Sequence, residues 1–172
     1  MAFDAFMYVT GGAVPAEGET TDKTFSAKKA WEIASFSFGA SNPTTVGSQS
    51  GGSGGGKVSI SSFNIMKKTD NASPALFKSC CKGSFYDTGV VTLRKAGGTN
   101  PLVYLVYTFT EVYVDNIQWS GSSGGDDTAA ESVSFAFATV KVEYWPQKKD
   151  GTAGTLKDAS WNLTTNNDSV AA

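Results

Sequence analysis

The chain has 172 residues, enough for one domain around one core, and a formal net charge of −2. Arg94 is the single arginine, and there is no histidine. These counts argue against a nucleic-acid surface, against Ser–His and Cys–His nucleophile pairs, and against His-ligated metals. Two neighbouring cysteines, Cys80 and Cys81, can neither staple a fold nor close a zinc site, and they read as reduced thiols of a protein folded in the cytosol.

In chain order, "MAFDAFMYV" lacks a basic n-region and reads as a strand over Asp4–Val9, not as a signal peptide. Further strands are predicted over Ala30–Phe38, Val58–Met66, Val90–Lys95, Leu102–Asp115 and Val133–Trp145, with shorter ones near Ile117–Trp119 and Ser160–Leu163. "PLVYLVYTFTEVYV" is broken by Glu111 and threonines, so it is not a transmembrane span. Three strands change phase partway. Trp31 and Ile33 share a parity that Phe36 and Phe38 leave, Val58 and Ile60 give way to Phe63 and Ile65, and Val133, Phe135 and Phe137 give way to Val140, Val142 and Tyr144. A one-residue slip turns every side chain to the opposite face, so these flips predict bulges that bend strands between two packed layers.

One helix stands out, in "NASPALFKSCCKG". Ser73 reads as its N-cap, Pro74 as its first helical residue and Gly83 as its stop. Leu76, Phe77, Cys80 and Cys81 are predicted to form its apolar stripe. The polar loops Gly39–Lys57, Gly121–Ala130 and Gln147–Lys157 are long for a compact domain.

Within the first of these, Gly51 to Lys57 matches G-x-x-x-x-G-K, the spacing of a phosphate-binding loop. The Ser or Thr that would hold Mg²⁺ is replaced by Val58, and the following residues have strand period where a helix N-terminus is needed. The segment therefore reads as a loop entering a strand, with Lys57 facing a carboxylate or water. Asp126 and Asp127 lack the regular oxygen spacing of a calcium loop. Glu111 and Glu143 are the remaining candidates for a paired acid and base, against which stands their reading as outward strand charges. The Asn-x-Ser/Thr triplets at Asn71, Asn162 and Asn167 matter only on a glycosylating route. No catalytic constellation, cofactor motif or metal set emerges.

The second half carries a resemblance. Leu93-Arg94-Lys95-Ala96-Gly97-Gly98, Tyr104-Leu105, Glu111-Val112, Glu131-Ser132-Val133-Ser134-Phe135 and Tyr144-Trp145-Pro146-Gln147-Lys148 resemble the haemolysin-coregulated protein (Hcp) family, the tube component of type VI secretion. So do Asp70–Gly83 and Phe36-Ser37-Phe38-Gly39, and the likeness spans about Asp22 to Leu163. It is weakest over Thr10–Thr21, Gly39–Lys57 and the segment after Leu163.

The resemblance implies a mainly β fold: a two-sheet curled β-barrel or sandwich with one short lateral α-helix, like phage tail-tube proteins. One domain would cover residues 1–163, with 164–172 a disordered tail. It implies a homohexameric ring, stacking of rings into a tube, and spike, sheath and effectors as partners, with no nucleic acid, membrane insertion or cofactor. Folding would occur in the bacterial cytoplasm, with release through the secretion apparatus and no cleaved signal peptide. Gly51, Gly52, Lys57, Arg94 and Lys95 are the expected ring or stacking contacts, and Ser35 and Ser37 the expected lumen contacts. The alternatives are another contractile-injection tail-tube protein, a secreted ligand-binding β-sandwich, and a nucleotide hydrolase using Gly51–Lys57.

Overall fold

The computed structural model describes residues 3–45, 54–95, 101–123 and 128–169. Its spine is β10 (Leu102–Ser120), a 19-residue strand. One side of its first half pairs with β9 (Phe85–Lys95), from Leu102↔Lys95 to Tyr113↔Phe85. The other side pairs first with β12 (Thr139–Tyr144) and then with β11 (Ala130–Ala136). Two sub-sheets therefore fan out from one strand. The first adds β1 (Phe3–Thr10) to β9, β2 (Trp31–Glu32) to β1, and β13 (Lys157–Asn162) to β12. The second adds β8 (Phe63–Lys68) to β11 and β3 (Ser35–Ser37) to β8.

β2 and β3 belong to one chain segment. Ile33 N–H donates to Ala5 O at 2.9 Å and Ala34 N–H to Met66 O at 2.8 Å, so this segment leaves one sub-sheet and joins the other. The pairing path stays open, ending in β2 and β3, but the whole sheet curls around one core. Trp31, Phe63, Ile65, Leu93, Phe109, Val112 and Phe135 fill it, with Phe36 and Phe38 packed from β3 and its end. Burial of such side chains contributes about 1.5–3 kcal/mol each.

Three expected strands are split, and the reason is physical. Ala30–Phe38 is β2 and β3, and Val133–Trp145 is β11 and β12. Val58–Met66 likewise divides into β7 (Ser59–Ile60) and β8. Each phase change marks a passage between sub-sheets or ribbons, where the chain interrupts its ladder. At the second, Ala138 N–H donates to Thr110 O (3.0 Å) and Leu163 N–H to Ala138 O (2.9 Å). The register shifts lie on β10 instead, between Val103 and Leu105 and between Val114 and Asn116. Glu111 there has φ 53°, a left-handed value that β-strand glutamates rarely adopt, close to where β10 changes partner from β12 to β11. Ile117–Trp119 is the far end of this same strand. β9 begins at Phe85 rather than Val90, because buried Gly89 is accommodated under Val112 and Met7: a Cβ there would stand 3.3 Å from Val112 Cγ2.

The helix α1 covers Ser73–Lys82 and stops at Gly83, which has φ 62°. Ser73 is its first residue and not its cap. Its Oγ accepts from Asp70 N–H (3.0 Å), while Asp70 Oδ1 accepts from Ala72 N–H (2.9 Å). The expected stripe is half right: Leu76 is buried and Cys80 half-buried, but Phe77 and Cys81 face solvent, and Ser73 and Ser79 take the inner positions. Residues 164–169, left by the sequence reading as a tail, fold back on β13. Asn162 N–H donates to Asn167 O (2.8 Å) and Ser160 Oγ to Asp168 O (2.8 Å).

Candidate assembly surfaces

The arm between β3 and β8 holds three of the five expected ring or stacking contacts, Gly51, Gly52 and Lys57. β4 (Ala40–Ser41) pairs with β7, and β5 (Thr44–Thr45) with β6 (Gly54–Gly55). These ribbons pair with each other and with no strand of the main sheet. Ser61 N–H to Gly39 O (2.9 Å) pins the base, and Gly56 N–H to Pro43 O (3.0 Å) ties the flanks. Glycine at position 56 is needed because a Cβ would stand 2.8 Å from Pro43 O. Lys57 is exposed and is followed by β7, not by a helix, which removes the anion-facing helix terminus that a phosphate loop requires. Gly51 and Gly52 lie outside the described residues, as do Asp126, Asp127 and Ala96–Gly98.

Arg94 and Lys95 lie at the end of β9, and they differ. Arg94 is committed within the subunit. Its Nε donates to Asp4 Oδ2 (3.1 Å), it pairs with Asp22, and its guanidinium lies 4.8 Å from the Phe6 ring and 5.6 Å from that of Phe25. Phe6 and Phe25 stack at 4.3 Å, so Arg94 and Phe25 together fasten the segment before β2 onto the sheet. The Arg94 hydrogen bond holds the Asp22 carboxyl below the usual carboxylate range against its partial burial, with the Thr24 and Phe25 N–H groups adding to the effect. Lys95 is exposed and donates to Gln147 Oε1 at 2.9 Å. That bond joins the Arg94-Lys95 and Pro146-Gln147 motifs, far apart in sequence, at one end of the first sub-sheet.

Ser35 and Ser37 are exposed while Phe36 and Phe38 turn inward, as the alternation predicts. Register extends their face across the second sub-sheet. Ser37, Asn64, Ser134 and Asn116 form one cross-strand row, and Ser35, Met66, Ser132 and Gln118 the next. Ser134 Oγ is hydrogen-bonded to Asn64 Oδ1. These two rows hold hydroxyls, amides and one thioether, and no charge.

The opposite side of that sub-sheet ends in a row that sequence reasoning missed: Trp119, Glu131 and Lys67. Lys67 and Glu131 are 1% and 0% exposed. Lys67 Nζ donates to Asp70 Oδ1 (2.6 Å) and Ser73 Oγ (3.3 Å), and meets Glu131 Oε1 at 2.8 Å as a charge contact without aligned hydrogen-bond geometry. Trp119 Nε1 donates to Glu131 Oε2 at 2.7 Å. This row ties α1 to three strands, β8, β11 and β10. Alternation alone flags Lys67, which shares the parity of Phe63 and Ile65.

Candidate catalysis finds no support in position. Glu143 pairs with Lys141 at 2.9 Å and sits opposite Val106 in the ladder, well along β10 from Glu111, which accepts from Tyr113 Oη at 3.2 Å. Among the described residues no three His, Cys, Asp or Glu side chains are grouped to hold a metal. No described helix is long and apolar enough to cross a membrane.

What the molecule presents is a curled, mainly β domain with one short helix. The family model "Type VI secretion system effector, Hcp" matches residues 6–144, and the chain belongs to that family. Protein hcp1 of Pseudomonas aeruginosa is 39% identical over 112 residues, covering 64% of this chain and 68% of that protein. A solved type six secretion system protein superposes with a TM-score of 0.87 at 32% identity, covering 96% of this chain and 99% of the other. Hcp1 from Salmonella typhimurium gives 0.77 at 32%, covering 98% and 100%. The chain is thus a structural tube protein of type VI secretion and not an enzyme. Proteins of this family form stacked hexameric rings.

Proposed function

We propose that six copies of this 18.0 kDa chain close into a ring whose inner wall is the face carrying Ser35 and Ser37, and that the arm of residues 39–61 sets the stacking of one ring on the next. The observation that carries the stacking part is the arm's self-pairing. Its ribbons make their own ladder and leave their side chains exposed from Gly39 to Thr44 and at Gly56 and Lys57. A ladder anchored to its own core only at Ile60 is marginal alone, and cover from a neighbouring ring supplies what it lacks. Gly51, Gly52 and Lys57 belong to this contact, with Lys95 near the ring edge. Arg94 acts within its own subunit, keeping Asp22 and Phe25 in place. The hydroxyl and amide rows give the wall an uncharged stretch bordered by exposed Lys68 in the next row, suited to the passage of effectors, while spike and sheath meet the tube elsewhere. The protein folds before its release through the secretion apparatus.

The test replaces Asn42–Gly55 with a short Gly-Ser turn. Expected are hexamers of unchanged mass by light scattering and near-native melting, because loop closure depends only weakly on length, about 1 kcal/mol or less. Tube formation, driven by crowding, is expected to fail. Normal tubes from the trimmed chain, or rings falling to folded monomers, would overturn the assignment.

A further inference from the structure

Helix α1 lies on the side of the second sub-sheet opposite the Ser35–Ser37 face, since Leu76 joins the core and Ser73 meets inward-facing Lys67. Its outer surface is unusual for this chain in two ways. Phe77 and Trp119 are 49% and 45% exposed, and their rings contact each other at 5.6 Å in a tilted arrangement. The indole N–H of Trp119 is committed to Glu131, so what it offers outward is its apolar face. Along the helix that carries Phe77 the charge is of one sign. From Asn71 to Phe85 the sequence has no carboxylate, while Lys78 and Lys82 are exposed with Cys81 between them. The acids flanking the helix and Trp119 in the described ladder, Asp70 and Glu131, share Lys67, which balances one of their two charges and draws both carboxylates inward, away from the outer surface of the helix. A chain with 16 acidic and 14 basic residues thus presents a locally cationic surface around an aromatic anchor.

We propose that this face docks an acidic protein surface that places an apolar side chain on the Phe77–Trp119 pair, with Lys78 and Lys82 meeting its carboxylates. Paired aromatics surrounded by charge are the usual composition of a binding centre and its rim, and opposite charge sets which partners approach. The Trp119–Glu131–Lys67 row, buried at Glu131 and Lys67, holds the helix and the indole in fixed relation, so the pair is already arranged before a partner arrives. That α1 faces the outside of an assembled tube rests on the ring reading above. The chemistry of the patch does not.

The probe is a fluorescein-labelled amphipathic helical peptide of Glu and Leu, titrated into the purified full chain by anisotropy, beside its Lys-for-Glu counterpart. Saturable binding of the acidic peptide alone is expected, weakening with salt and at least about tenfold weaker in Lys78→Glu/Lys82→Glu. Phe77→Ser is expected to weaken it comparably, and Cys81 reactivity toward a thiol reagent is expected to fall when the peptide binds. Phe77 and the lysines take no part in the buried row, so melting and particle mass of these variants are expected to match wild type. Equal binding of both peptides, no saturable binding of the acidic one, or binding unchanged in both variants would overturn the proposal. So would a change of particle mass in the variants, which would make the patch a contact between copies, or their loss of cosedimentation with anionic phospholipid vesicles, which would make it a membrane surface. A wild-type chain that is monomeric by light scattering would refute the ring reading while leaving this titration to stand or fall by itself.

Discussion

Lys67→Met is expected to be among the most destabilising single changes that keep side-chain volume. The ammonium is fully buried and serves two carboxylates at once, at 2.8 Å from Glu131 and 2.6 Å from Asp70. Methionine preserves the stem but leaves Glu131, itself without solvent exposure, with only the Trp119 N–H as partner. Removing one member of a buried pair typically costs about 3–5 kcal/mol, because the remaining charge is left uncompensated. At roughly 2–4 °C per kcal/mol for a chain of this size, the melting temperature is expected to fall by about 6–20 °C. Glu131→Gln is milder, about 1–3 kcal/mol, since Lys67 keeps Asp70 and glutamine can still accept from Trp119. The double variant Lys67→Met/Glu131→Gln is expected to recover at least about 1 kcal/mol relative to Lys67→Met alone. Denaturant unfolding at fixed chain concentration reads all three, because assembly adds a concentration-dependent term. The reasoning is refuted if Lys67→Met costs less than about 1 kcal/mol, or if the double variant is as unstable as the sum of the singles.

Three further outcomes are expected. The bonded Asp22 carboxyl titrates below its unfolded value, so its stabilisation is present above about pH 3.9 and is lost as pH falls through the lower folded value; Asp22→Asn is expected to flatten that acid limb of a stability–pH curve and lower the plateau at neutral pH. Gly18→Ala is expected to cost about 1–3 kcal/mol by calorimetric melting, because a Cβ there would lie 2.3 Å from Ala30 O beside the Gly18 N–H to Lys29 O bond. Calorimetry with ATP is expected to give no binding isotherm for either wild type or Lys57→Ala; micromolar affinity lost in the variant would restore the phosphate-loop reading.

Local pattern carried much of this molecule. Alternation placed Phe36 and Phe38 inward and Ser35 and Ser37 outward, and turn chemistry located the helix and its stop at Gly83, because both depend on neighbours within a few residues. Spaced motifs such as Leu93-Arg94-Lys95 and Tyr144–Lys148 were enough to indicate the family. What they could not convey is pairing. The phase flips at Ile33–Ala34 and Phe137–Ala138 looked like bulges, since a bulge and a change of partner strand leave the same mark on alternation. Asp115-Asn116 looked like an end to β10, which instead continues to Ser120 by shifting register against β11. The ion pairs of Arg94 with Asp4 and Asp22, 90 and 72 residues away in sequence, are also invisible to the motif. The Trp119–Glu131–Lys67 row and the exposure of Phe77 are likewise products of which strand lies beside which. A residue's parity determines the face it takes, but only the fold determines what stands opposite.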